Sequence, residues 1–266
     1  MRSSIEASNS FHRVLVIAKN TFREAIRDKV LYNLVLFVII ITASAVLLGD
    51  LTDGQEGRTI VNFGLNAMLL FGVFIAIFVG VGLVSKEIEK RTVYAIFSKP
   101  VSRTEFIIGK YFGLCSTLLV NIVIMGLGVS LALLYVGRGN LAVTIWGGIA
   151  LIFLELTILT AVAILFSTFS SPSLSALLTF LIFIIGHLSA SLRDLAEGLG
   201  SRAAVMVFEI IYYLFPNLAN FSFRGEAAVG MVPTFAMVAG GFAYAVIYSA
   251  ILLIIAILIF TRRNFK

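Results

Sequence analysis

Three sets of residues carry side chains capable of chemistry. Glu155 stands by itself midway along an apolar run near 141–168. A carboxylate in such a run is costly unless it faces a protein interior or a wet cavity. It is therefore either a substrate-pathway or proton-linked group, or a hydrogen-bonded group that fixes helix packing. His187 is followed by Ser189 and Ser191, a set that a Ser–His hydrolase would use. Hydrolysis also needs the nucleophile on a sharp turn, and no Gly-x-Ser-x-Gly sequence accompanies them. A lone His near a membrane interface is usually structural, so no catalytic residue is assigned. His12 lies on the opposite side of the membrane from His187, and no His/Cys/carboxylate cluster has ligand spacing, so no metal site is expected. The third set is the charged stretch Ser85–Gly113, SKEIEKRTVYAIFSKPVSRTEFIIGKYFG.

The elements that hold these residues are set by composition. The chain has 266 residues, 60% apolar and 13% charged, too few polar groups to coat a water-soluble domain. Its apolar residues fall in runs of about 20 or more, the length that crosses ~30 Å of hydrocarbon at ~1.5 Å per helical residue. Barrel strands would alternate apolar and polar residues, and these runs do not. The expectation is an all-α polytopic membrane protein with six transmembrane helices near 30–49, 59–84, 107–136, 141–168, 172–192 and 232–260. Residues 11–29 place Val14, Leu15, Ala18, Phe22, Ala25 and Ile26 on one stripe and Arg13, Lys19, Arg23, Glu24 and Arg27 opposite. That pattern predicts an amphipathic interfacial helix on the inner membrane face, against membrane lipids. Basic, polar residues fill the first thirty positions, so no cleaved signal peptide is expected and the first span serves as the membrane address. A single transmembrane domain over 1–266 follows, because no linker, repeat or separate soluble segment interrupts it.

Orientation comes from the cations. Residues 1–30, the 85–110 loop and the tail at Arg262, Arg263 and Lys266 hold fifteen of the twenty Lys/Arg. The remaining five are Arg58, Arg138, Arg193, Arg202 and Arg224. The positive-inside rule then puts both termini in the cytoplasm and the 193–231 loop outside. Topology accounts for the net charge of +6, so nucleic acid is not an expected partner. Within the outer loop, Ala203–Phe215 is apolar except for Glu209 and too short to cross, which predicts a short re-entrant or interfacial helix. Cys115 is the one cysteine and has no internal disulfide partner.

The Ser85–Gly113 stretch has its own architecture. Ile88, Thr92, Ala95 and Ile96 share a helical face, with Lys86, Glu87, Lys90 and Arg91 largely on others. Pro100 ends that 86–98 helix, and Ser102 with Glu105 has the spacing of a capping box that starts the next. Gly109–Lys110 is not a phosphate-binding loop, since the upstream Gly is missing and Tyr111 follows. Ala76/Gly80 and Gly109/Gly113 have the four-residue spacing that permits close helix contact.

At Glu87, Glu89, Thr92, Pro100, Ser102, Arg103, Gly109, Lys110 and Gly113 the sequence resembles the permease subunit of a type-2 ABC transporter, in the NosY-like branch. Asn20–Lys29 resembles the entry helix of that branch, and Tyr212–Asn217 its segment before the last span. Arg91 departs from the Gly common in the wider family. The resemblance implies that 86–98 is a coupling helix seated on a separate ATPase, with Lys86, Glu87, Glu89, Arg91, Thr92, Pro100 and Arg103 as the coupling residues. It further implies two ATPase copies carrying ATP and Mg, a second permease half (expected as a homodimer), export, and a prokaryotic cytoplasmic membrane. No cofactor is expected on this chain, and it is not expected to be an enzyme. The competing expectations are an ion- or proton-coupled secondary carrier or channel using Glu155, and a membrane enzyme using His187.

Overall fold

Hydrocarbon leaves backbone N–H and C=O groups no partner but one another, and an apolar segment satisfies them by coiling into a helix. The computed structural model describes residues 2–25, 36–37, 39–41, 55–89, 101–198, 206, 209–210 and 214–262, and among them there is no strand. In chain order the helices are α1 (Arg2–Ala25), α2 (Glu56–Glu89), α3 (Arg103–Tyr135), α4 (Gly139–Ser167) and α5 (Pro172–Gly198), then α6 (Arg224–Ala228) and α7 (Phe235–Arg262). A 3-10 turn at Leu218–Phe221 precedes α6. Among the described residues, four stretches are long and apolar enough to cross a membrane: Glu56–Gly82, Arg103–Tyr135, Gly139–Ser167 and Phe235–Arg262. α5 contributes a shorter apolar stretch, Pro172–Leu188.

The four candidate spans overlap the apolar runs near 59–84, 107–136, 141–168 and 232–260, and the shorter apolar stretch of α5 overlaps the run near 172–192. Most of the expected first span, 30–49, falls outside the described residues, although Phe37 and Ile41 are buried in the core. The Phe37 ring meets Phe71 of α2 edge-on at 5.8 Å. α5 continues to Gly198, beyond the expected 192. Nothing between Arg193 and Glu197 breaks a helix, so polar residues prolong it past the apolar stretch.

α4 is the central helix. It packs against α2, α3, α5, α6 and α7, and 78% of its apolar window is buried, against 17% for α7. α3 and α4 are joined by a tight turn in which Gly137 has φ +76, a conformation that costs glycine nothing. The Ala76/Gly80 pair lies at the α2–α4 contact, where a Cβ on Gly80 would sit 3.3 Å from Ala163.

The Gly109/Gly113 pair receives α1. A Cβ at Gly109 would lie 2.6 Å from Ile17, and one at Gly113 would lie 2.6 Å from both the Ala18 carbonyl oxygen and Thr21. α1 therefore runs alongside the start of α3 at a separation only glycine permits. The stripe read from the sequence is divided by this contact. Ala18, Thr21 and Ala25 turn toward α3, while Phe11, Leu15 and Val16 remain exposed beside the exposed cations Lys19 and Arg23. Gly113→Leu drives a branched side chain into α1 backbone and should release the helix. Limited trypsin digestion checks this: cleavage at Arg13, Lys19 and Arg23 should accelerate at least about tenfold, with the α2–α7 fragment staying intact.

Candidate functional site

The residues expected to face a partner fall at the junction of α2 and α3. Lys86, Glu87 and Glu89 lie in the last turns of α2, which continues without a break from Glu56. Arg91, Thr92 and Pro100 lie outside the described residues, as does most of the expected 86–98 helix. α2 has 34 residues and α3 has 33, so each exceeds by ~20 Å what ~30 Å of hydrocarbon needs. The excess carries the charges Lys86, Glu87 and Glu89 on one helix and Arg103, Glu105 and Lys110 on the other.

The start of α3 holds two other helices. Ser102 and Glu105 form the capping box their spacing predicts: the Glu105 amide donates to Ser102 Oγ at 3.1 Å, and the Ser102 amide to Glu105 Oε2 at 2.9 Å. The other carboxylate oxygen accepts from α1, from Ser10 Oγ and from Arg13 Nε and Nη2 at 3.1 and 2.8 Å. Burial acts to raise the Glu105 pKa, but these hydrogen bonds and the Arg13 charge outweigh it and hold it at about 2. One turn on, buried Lys110 stands 3.6 Å from Glu24 of α1 and over the Phe106 ring at 5.7 Å. Arg103 reaches in the opposite direction. Its Nη1 donates to the Phe260 and Thr261 carbonyls at 2.9 and 2.7 Å, placing a cation at the C-terminal end of α7 where the helix dipole favours one. Phe106 stacks on Phe260 at 5.8 Å beneath that contact. Two turns of α3 thus tie α1, α3 and α7 together directly after the charged loop.

Glu155 lies in the core of α4, 2% exposed. The structure brings to it the residue that the sequence left separate: His187 Nε2 is 3.5 Å from Glu155 Oε1. The His187 ring also lies against Phe183 at 4.7 Å. No sequence signal joins the two residues, which sit on different helices 32 positions apart. A lone intramembrane carboxylate does, however, call for a partner, and His187 is the nearest ionisable residue along the neighbouring span.

At the bundle end opposite α1, the chain folds back inward. The expected short helix at 203–215 lies mostly outside the described residues, and the inward element is seen just after it. Pro216, Leu218, Phe221, Phe223, Ala227 and Ala228 are buried. A Cβ at Gly186 would meet Leu218 and the Pro216 carbonyl at 2.7 Å, and one at Gly148 would lie 3.6 Å from Ala227. Gly148 is nine residues into α4, so this re-entrant element descends ~14 Å below that helix end. Its irregular backbone is served by α7: the Asn217 amide donates to the Tyr244 hydroxyl, and the Tyr248 hydroxyl donates to the Leu214 carbonyl, each at 3.0 Å.

Long apolar helices around a polar centre, with charged helix ends meeting at one loop, define a multi-pass membrane protein with the frame of a transport subunit. The chain matches the family described as ABC-2 family transporter protein over residues 15–265, and it belongs to that family. It is thus the permease subunit of a type-2 ABC transporter, a family that implies association with an ABC ATPase subunit. No curated protein matches the chain.

Two variants test the clamp. Arg103→Gln removes both caps on α7, and Glu105→Gln removes the charge that holds Arg13; each should cost about 1–3 kcal/mol. Thermal unfolding in detergent should show both as a lowered midpoint. The Glu105 contribution should shrink as pH falls from 4.5 toward 2, because a carboxyl whose folded pKa is depressed stabilises only while ionised.

Proposed function

We propose that this permease subunit spans the cytoplasmic membrane of a prokaryote six times, with both termini in the cytoplasm, and exports its substrate when the 86–103 loop is moved by a separate ATPase. Two ATPase copies carry ATP and Mg, and a second copy of this chain completes the pathway. The end of α2, the segment after it and the start of α3, through Lys86, Glu87, Glu89, Arg91, Thr92, Pro100 and Arg103, form the contact with the ATPase. The observation that carries the reading is the clamp at the start of α3. Force applied to the loop reaches α2 and α3 through the backbone and reaches α1 and α7 through Glu105, Lys110 and Arg103. Loops that merely anchor a membrane protein by positive charge have no need of that rigidity. The positive-inside distribution supports the orientation, and α1 supports it further by presenting Phe11, Leu15, Lys19 and Arg23 outward, a set suited to an anionic inner leaflet.

The test is a mild-detergent purification of the tagged chain from its native host. An ATPase bearing a Gly-x-x-x-x-Gly-Lys-Ser/Thr loop should co-purify in near-equal amount. Charge reversal at Glu87 and Glu89 should reduce it by at least about tenfold, because like charges brought together at an interface cost several kcal/mol. Unchanged recovery in the folded double variant removes the loop from the interface. Recovery of the chain alone, with ATP-independent transport that is lost in Glu155→Gln, favours the secondary carrier.

A further inference from the structure

We propose that Glu155 and His187 form an intramembrane site that binds a single proton. His187 Nδ1 lies 3.3 Å from the Phe183 carbonyl oxygen, which can only accept, so Nδ1 carries a hydrogen. Nε2 then faces Glu155 Oε1 at 3.5 Å, and neither atom has another hydrogen-bond partner. A neutral imidazole of this tautomer offers a lone pair at Nε2, and a carboxylate offers lone pairs at Oε1. Two acceptors facing each other in a buried site repel, and one proton between them removes the conflict. With the proton on Oε1, the acid donates to Nε2. With the proton on Nε2, the imidazolium donates to the carboxylate. Both arrangements hold one proton and no net charge.

Loss of that proton leaves a full negative charge on a carboxylate that is 2% exposed. Titratable groups on the packed elements are few near the pair. α2 has none between Arg58 and Lys86, and α4 has only Glu155. α3 carries Tyr111 and Cys115 in its apolar part, with Arg103, Glu105 and Lys110 at its start and Tyr135 at its end. α6 carries Arg224 and Glu226, α7 carries Tyr244 and Tyr248 with Arg262 at its end, and on α5 the next charges after His187 are Arg193 and Asp194.

The chain has two histidines, so His12→Gln leaves His187 as the sole imidazole. The experiment is a 15N NMR titration of histidine-labelled His12→Gln chain in lipid nanodiscs, without ATPase or ATP. A shared proton gives an Nε2 titration in two coupled steps, with Nδ1 protonated throughout the first. Glu155→Gln, which keeps size and hydrogen bonding, should abolish one step and move the remaining midpoint by at least one pH unit, about tenfold in proton affinity. Superimposable curves for the parent and Glu155→Gln overturn the site. Should that variant not fold, the parent alone decides, since a single imidazole step also overturns it. Because ATPase is absent, failure here leaves the coupling proposal untouched.

Discussion

Hydrocarbon offers no hydrogen bonds, so a polar group carried into it gains by pairing from within. Several hydroxyl and amide side chains of the long helices turn back on their own helix, and Ser130 reaches the Ala142 carbonyl of the next. Thr117 bonds to the Gly113 carbonyl, Asn121 to Thr117, Thr160 to Leu156, Ser167 to Ala163 and Thr179 to Ser175. The same requirement decides where backbone can leave the helix. Residues 215–223 do so inside the bundle only because protein surrounds them and two tyrosines of α7 supply the missing partners. Where pairing within one helix is not available, as for Glu155, a residue from the neighbouring span fills the role.

At the α1 end the constraint relaxes, and the interactions change kind. α2 and α3 outrun the bilayer there, so charges become affordable and do the joining. Arg13 pairs with Glu105 and Lys110 stands near Glu24, while Arg103 donates to backbone carbonyls of α7, so three helices are joined through charged side chains. Shape supports them: without the Gly109/Gly113 notch, α1 would stand too far off for Arg13 to reach Glu105. The opposite end carries an ion pair of Arg138 with Glu56 at 3.7 Å and an inserted element held by packing and neutral hydrogen bonds.

What the sequence made legible was local. The capping box of Ser102 and Glu105 spans three residues, and helix geometry alone decides it. Spans two to six follow from apolar length, and the close contacts at Gly80, Gly109 and Gly113 follow from four-residue spacing. Partners across the fold were not legible. Arg103 and Phe260 are 157 positions apart, and nothing in either neighbourhood says that an arginine side chain will cap that helix end. The division of the α1 stripe was hidden for the same reason, since periodicity reveals an apolar face but not what covers it. Periodicity also put the inward element at 203–215, the most apolar part of the loop. The buried part after it is built around Pro216, Asn217 and several small residues, and its depth depends on glycines in α4 and α5.

Interlocking, rather than contact alone, decides which helices can move independently. A Cβ at Gly72 would lie 2.3 Å from Leu156, so α2 holds α4 in a notch one residue from Glu155. Sliding α4 along α2 would drive Leu156 into backbone, and the two helices must shift together. On the other side of α4, the corresponding contact with α5 is the Glu155–His187 pair, an approach of 3.5 Å with no interdigitated side chain between those two atoms. A displacement that enters through α2 would therefore pass into α4 and reach that pair. The re-entrant element rests against Gly148 on α4 and Gly186 on α5, so it registers any relative motion of the two. The buried carboxylate lies at the seam between what the clamp would move and what the opposite end holds in place.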